Sequence, residues 1–326
     1  MAAGLEMAIT DILTSMSKRG IYLVANQKSQ RMCENLIFSI RNTGCKLPIR
    51  IIHFGGKAVN SDYLLAEAEL VYFEDAPQEA QAFVQELRTV LTDCPLGYLY
   101  RYLAWFSDWD EFIYSDNDVV ALCNWEILLD QLESFDEAQG FDLVHTDEEY
   151  TTKGVFNYNR PDKLCEIFGD NALGSAFTAG HIAVKKNGKM VDDFRAAMVW
   201  FKQHPEIPQK HDQSLMHVSS LLGNWKILNL CKEQNWLSSW AGDYRNSLHL
   251  IQKIQGHNAR ISHIHYSGGT PNGDLAIQDL LLSREDDKGR MKQLAGIVVN
   301  HFSGYYKMRH LHTRGRRFLK RVVALF

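Results

Sequence analysis

The chain has 326 residues, 45% of them apolar and 11% aromatic, enough for one large α/β domain or two modest ones. A formal net charge of −4 gives no overall signal for nucleic acid or for an anionic membrane. Six cysteines (Cys33, Cys45, Cys94, Cys123, Cys165, Cys231) show no CxxC or CxxH spacing. That argues against zinc and against a disulfide scaffold, and fits a reducing, cytoplasmic compartment.

In chain order, residues 1–19 read as an N-terminal extension. Glu6 and Asp11 interrupt its mildly apolar start and no basic stretch precedes it, so no signal peptide is expected. Residues 20–25 read as a first buried strand feeding the loop Asn26-Gln27-Lys28-Ser29. Residues 30–43 read as a helix facing inward through Leu36, Ile37 and Ile40 and stopped at Asn42-Thr43-Gly44. Residues 49–54 are a second strand and residues 70–73 a third. Strand, helix, strand at this spacing predicts a parallel sheet with right-handed crossovers. No G-x-G-x-x-G follows the first strand, which weighs against a dinucleotide fold.

Residues 79–91 and 96–106 are predicted helices. In the second, Tyr98, Tyr102 and Trp105 form a stripe at helical spacing, read as core rather than as a sugar platform. Arg101 lies within it, suited either to phosphate and sugar oxygens or to a surface ion pair.

The stretch of greatest interest follows. Phe112-Ile113-Tyr114 reads as a buried strand that ends in Asp116-Asn117-Asp118. Twenty-two aspartates in the chain give about 1.5 chance D-x-D patterns, and the other one, Asp108-Trp109-Asp110, lies in a polar turn. Two acids at the end of a core strand cost desolvation energy unless neutralised. Mg²⁺ or Mn²⁺ would neutralise them and keep coordination positions open for phosphates; a structural turn is the alternative. In an α/β sheet that strand end is also where ligands bind.

Residues 125–135 are a predicted helix and residues 141–145 a strand, which runs into Asp147-Glu148-Glu149. Residues 151–160 are polar and a candidate lid. Residues 176–184 read as a strand in which Gly180 permits close approach of a ligand to the backbone. Residues 191–203 form an amphipathic helix. Another opens at His211-Asp212-Gln213-Ser214, with Asp212 or Ser214 as its N-cap. Residues 225–230 are a strand. Residues 260–266 alternate, so His263 and His265 share a face beside the turn Ser267-Gly268-Gly269. A histidine there completes a metal shell or is a structural hydrogen-bonder.

Residues 274–283 and 287–302 are helical by pattern. From 305 to 326 there are seven Lys and Arg and no acid, interleaved with apolar residues. This basic tail suits an anionic membrane surface or packs on the domain.

The ordered set Ala25-Asn26, Arg101, Asp116-Asn117-Asp118, Phe177-Thr178-Ala179-Gly180, Asp212-Gln213 and His265-Tyr266-Ser267-Gly268-Gly269 resembles the GT-A glycosyltransferases, and most resembles glycosyltransferase family 8. The resemblance implies a Rossmann-like mixed sheet flanked by helices over residues 20–270, with residues 271–326 as a C-terminal helical basic extension. It implies that Asp116, Asp118 and His265 ligate Mn²⁺ or Mg²⁺, and that Ala25, Asn26, Asn117, Thr178, Ala179, Gly180, Gly268 and Gly269 line the donor. Arg101 would contact the donor, and Asp212 and Gln213 the sugar at the reacting face.

The implied activity is transfer of a hexose from a nucleotide-diphosphate sugar, UDP-hexose first, to a glycan or lipid-linked acceptor, with retention. The expected place is the cytoplasm, peripheral to a membrane through the tail, without a nucleic-acid partner. Thr178 departs from the asparagine frequent in that family, and Thr270-Pro271-Asn272 stands where lysine-proline-tryptophan is common. Two other functions are compatible with the residues: a sugar-phosphate nucleotidyltransferase, and a degenerate, membrane-docked binding protein.

Overall fold

The structure, a computed structural model, describes residues 18–133, 140–147, 158–240 and 260–266. The N-terminal extension before residue 18, most of the candidate lid, Gly268, Gly269 and everything expected beyond them, the basic tail included, lie outside the described residues.

Seven strands form one sheet: β1 Arg19–Ala25, β2 Ile49–His53, β3 Glu69–Val71, β4 Glu111–Ser115, β6 Leu143–His145, β7 His181–Lys185 and β8 Ile227–Asn229. Their order is β3-β2-β1-β4-β7-β6-β8. β1, β2, β3 and β4 are mutually parallel, as the sequence spacing predicts. β7 is antiparallel to both neighbours, while β6 and β8 are parallel to each other, so among these strands β7 alone is reversed. Two further strands, β5 Val119–Ala121 and β9 His263–His265, pair antiparallel as a separate small sheet.

Helices cover both faces of the main sheet. In β1, Ile21, Leu23 and Ala25 pack with Leu36, Ile37 and Ile40 of α1 Gln30–Asn42. Tyr22 and Val24, pointing the other way, join Phe83, Val84 and Leu87 of the 13-residue helix Gln78–Val90. Burial on both faces is why the strand reads as an unbroken apolar run instead of an alternating one. Past the end of α1, Gly44 adopts φ +86°, a left-handed conformation that glycine takes without strain. It closes the helix where Asn42-Thr43-Gly44 was expected to.

Several expected elements change shape under tertiary packing. Residues 96–106 divide into an α-helical turn, Leu96–Tyr100, and a tighter 3₁₀ stretch, Arg101–Phe106. Arg101 through Trp105 are all buried, so packing on every side sets the pitch. Tyr102 and Trp105 are core as expected, but Tyr98 is 39% exposed. Of the helix expected over 125–135, the described residues are regular over Glu126–Asp130, and residues 134–135 lie outside the described residues. The strand expected over 176–184 is regular only from His181, because the Thr178 N–H turns to Asp147 and the Ala179 carbonyl to Arg101, while Gly180 still pairs with Asp116.

Candidate active site

The end of β4 builds the site. Ser115 pairs with His181 across the antiparallel ladder, and Asp116 N–H donates to the Gly180 carbonyl at 2.7 Å, extending it one step. The chain then turns at Asn117, whose Nδ2 donates to the Val24 carbonyl at 2.7 Å and lies 3.4 Å from Ser29 Oγ. The Asn117 amide therefore braces the end of β1. β5 begins at once, and its register sets Val119 opposite His265. Tyr266 N–H reaches the Asp118 carbonyl at 2.9 Å.

Strand pairing thus delivers His265 to the acidic turn. His265 Nε2 is 3.2 Å from Asp118 Oδ1 and 4.0 Å from Asp116 Oδ2. One ligand atom from each of the three residues lies within 4.8 Å of the others. Gly180 is what makes this possible. A methyl group there would collide with His265 Cε1 and come within 2.9 Å of Asp116 Oδ2. The glycine therefore makes room for the imidazole and the carboxylate.

Arg101 is a buried connector, neither a surface ion pair nor an open phosphate clamp. Its Nη1 donates to the Ala179 carbonyl at 2.7 Å and stands 3.1 Å from Asp212 Oδ2. Its Nη2 donates to Asp116 Oδ1 at 3.2 Å. The guanidinium carbon lies 4.6 Å from the Tyr114 ring centre and 5.2 Å from that of Tyr98, a cation between two π faces. Tyr114 Oη also donates to Asp116 Oδ1, at 2.7 Å. The Arg101 Nε–H is buried without a partner among the described residues.

The charges are mutually tuned. Burial pushes the Asp116 carboxyl above its ordinary value, with Asp118 adding to the rise and Arg101, His265 and Tyr114 opposing it. Burial disfavours a charged His265, but the hydrogen bond and charge of Asp118, with Asp116 and Asp147, outweigh burial and hold the imidazole above its usual value. Asp212 is the reverse case. Burial alone would raise it, yet Arg101 and His211 together hold its carboxyl below the usual range.

Asp212 is not the helix cap expected of it. The cap of Asp212–Gly223 is His211, and Ser214 Oγ donates to the Gln209 and His211 carbonyls. Asp212 is 1% exposed, clasped between Arg101 and His211 Nδ1, which lies 2.7 Å from its Oδ1. Gln213, next in sequence, holds a buried Oε1 that has no partner among the described residues.

The rest of the expected donor-lining set is close by but engaged. Ala25 is fully buried at the end of β1. The Asn26 side chain spans the Phe54 and Gly55 carbonyls at 3.3 Å each and accepts from Lys28 N–H. Thr178 gives both its N–H and its hydroxyl to Asp147, at 2.8 to 3.0 Å. Asp147 thereby fixes the turn whose next two carbonyls hold Arg101 and Asp116. It is no free base.

Residues 18–141, which run from β1 through β5 to the start of β6, match the family model described as "Mannosyltransferase putative". No curated protein sequence matches the chain. Among solved structures, the chain is similar to the bifunctional glycosyltransferase WbbM in its apo form at 14% identity and a TM-score of 0.49, covering 77% of this chain and 46% of that one. The chain therefore spans less than half the length of that protein. It is also similar to the galactosyltransferase LgtC in complex with donor and acceptor sugar analogues, at 15% identity and 0.47, covering 86% and 96%. Mouse xyloside xylosyltransferase 1 in its apo form follows at 10% and 0.47, covering 78% and 99%.

Sequence reading passed over several residues that shape the site. Tyr114 stands two residues before Asp116 on the same side of β4, a relationship strand periodicity does carry. The Asp147–Thr178 contact and the Arg101–Asp212 pair join residues far apart in sequence, and no local pattern marks them. His211 was hidden by its neighbour.

Proposed function

We propose that the chain is a metal-dependent glycosyltransferase of GT-A type that moves a hexose from a nucleotide-diphosphate sugar to a hydroxyl of a glycan or lipid-linked acceptor. The observation that carries this reading is the convergence of Asp116, Asp118 and His265 on one point at the carboxyl end of β4. Two carboxylates and an imidazole suit Mn²⁺ or Mg²⁺ and occupy only part of a coordination sphere, which leaves room for phosphate oxygens. Such an ion supplies Lewis-acid chemistry for a departing diphosphate.

The chain's own residues divide the remaining work. Arg101 and Tyr114 hold the Asp116 carboxylate in place. Ala25, Asn26 and Asn117 frame the nucleotide at the end of β1, and Thr178, Ala179 and Gly180 frame the sugar beneath β7. Asp212 and Gln213 lie beside the reacting sugar, Asp212 acting through the neighbours that clasp it and Gln213 through its Oε1, which has no partner among the described residues. Gly268 and Gly269 approach the phosphates. The match to the family model supports sugar transfer and sets mannose beside the UDP-hexoses as the group moved. Retention follows from the family 8 resemblance, and residues 305–326 hold the enzyme to the inner face of a membrane.

A panel of UDP- and GDP-hexoses incubated with Mn²⁺ tests this. Release of nucleoside diphosphate, lost in Asp116→Ala and Asp118→Ala proteins that remain folded, is the expected result. Release of pyrophosphate would instead mark a nucleotidyltransferase, and full activity in either variant would overturn the reading.

A further inference from the structure

The reaction proposed above requires the acceptor hydroxyl to lose a proton, and the two buried carboxylates nearest the cation site, Asp212 and Asp147, are closed. Asp212 is 1% exposed and held by Arg101 and His211. Asp147 accepts both donors of Thr178. Asp116 and Asp118 belong to the cation site. Tyr102 and Tyr114 are buried here, their hydroxyls donate to the Asp212 carbonyl and to Asp116, and burial raises both, while His145 is sealed against Asp147. Cys94 and Tyr98 also face this end. Burial pushes the Cys94 thiol, 4.0 Å from Asp212 Oδ1, up to about 12, and raises the Tyr98 hydroxyl above its ordinary value. Both stay protonated at neutral pH and neither is a base.

His211 is left. Its side chain is 31% exposed, and its ring lies 5.8 Å from that of Tyr98, the same ring that lies over Arg101. Its Nδ1 has two neighbours: Asp212 Oδ1 at 2.7 Å and Gln213 N–H at 3.4 Å. It cannot serve both as a neutral imidazole. Asp212 carries a depressed pKa, is ionised, and can only accept, so the shorter contact requires the proton on Nδ1. The longer Gln213 contact gives way. This fixes the tautomer and leaves a lone pair on Nε2, for which the described residues offer no partner.

We propose that His211, oriented by Asp212, is the proton acceptor for the incoming acceptor hydroxyl, an inference that rests on the glycosyltransferase reading. The hydroxyl oxygen bonds to the anomeric carbon on the face that the diphosphate leaves, as retention requires, while the bond from that carbon to the phosphate oxygen breaks. That electron pair leaves with the diphosphate, and the hydroxyl proton passes to His211 Nε2. The resulting imidazolium is held by the Asp212 carboxylate until it returns the proton to water. The Asp–His pair then acts as one unit, with Asp212 the positioning residue and His211 the group that touches substrate.

The test uses the nucleotide sugar giving the largest Mn²⁺-dependent rise in melting temperature, with water as the acceptor, so that donor hydrolysis is the assay. His211→Ala is expected to lower kcat roughly 10²- to 10³-fold. Calorimetric affinity for the nucleoside diphosphate with Mn²⁺ should stay within about twofold, and added 4-methylimidazole should restore part of the rate. His211→Asn can still donate to Asp212 but has no basic nitrogen, so it should be as slow as the alanine variant. It also keeps the contact, which guards against a folding defect. Restored activity in His211→Asn, or kcat within threefold of wild type in His211→Ala, would overturn the proposal while leaving the enzyme a glycosyltransferase. Wild-type protein that neither binds nor turns over any donor would instead remove the reading beneath it.

Discussion

Arg101 and Asp212 form an ion pair at 3.1 Å with both side chains sealed from water. The other arm of the same guanidinium reaches Asp116, so one cation fixes a proposed metal ligand and the anchor of helix Asp212–Gly223 at once. Removing one partner of such a pair strands a buried charge, which costs about 3–5 kcal/mol. Arg101→Ala is expected to lower unfolding free energy by that order in urea titrations. The double variant with Asp212→Ala should be less destabilised than the sum of the two single changes.

The Asp116, Asp118 and His265 cluster predicts a metal response that needs no substrate. A ligand that binds only the folded state at about 100 times its Kd adds roughly 2.7 kcal/mol of stability. Mn²⁺ should therefore raise the melting temperature of the wild-type protein by several degrees. Asp118→Ala and His265→Ala should abolish that rise with unchanged circular dichroism. A persistent rise in both would place the ion elsewhere.

Gly180 sets the distance between two expected ligands. A methyl group there meets the His265 ring and the Asp116 carboxylate, and the Asp116 N–H still needs the Gly180 carbonyl. Gly180→Ala is expected to weaken Mn²⁺ binding about 10- to 100-fold, the scale for disturbing a ligand's immediate support. Secondary structure should persist, and calorimetry of the metal alone reads the effect.

His217 gives the fold a dependence on acid that is separate from the site. It is fully buried, 2.8 Å from Tyr158 Oη and 3.0 Å from the Ala172 carbonyl, and burial pushes its imidazole down to about 4. A histidine with a depressed folded pKa contributes stability that is whole above its unfolded value near 6.5 and declines as pH falls toward 4. The loss across that window is about 3 kcal/mol. His217→Gln, which cannot titrate there, should show a correspondingly flatter stability profile between pH 6.5 and 4. Parallel profiles would exclude His217 as the source.

The first half of the fold was legible because its signals are local. The apolar run of β1, the inward face of Gln30–Asn42 and the glycine stop at Gly44 predict parallel pairing without any tertiary information. The acids at the end of β4 were legible for the same reason, and the alternation around His263 and His265 gave the imidazole its face. What stayed hidden depends on partners distant in sequence. Thr178 and Ala179 look like strand, but Asp147 and Arg101 claim their hydrogen bonds, so they form a turn. Asp212 looks like a cap by propensity, but Arg101 draws it inward and the cap passes to His211. Tertiary contacts overrode a weak local preference in both cases.

The reversed direction of β7 has a bearing on how such a site can diversify. Its amino end, rather than its carboxyl end, abuts the acidic corner of β4, while β1 meets that corner from the other flank and in the same sense as β4. The two borders of the pocket are consequently drawn from chain segments that share no connecting loop. On the donor placement proposed above, changes to the border that precedes β7 would retune the hexose side without disturbing the nucleoside side after β1. Selectivity for the two halves of a donor is then inherited separately, and can be exchanged separately.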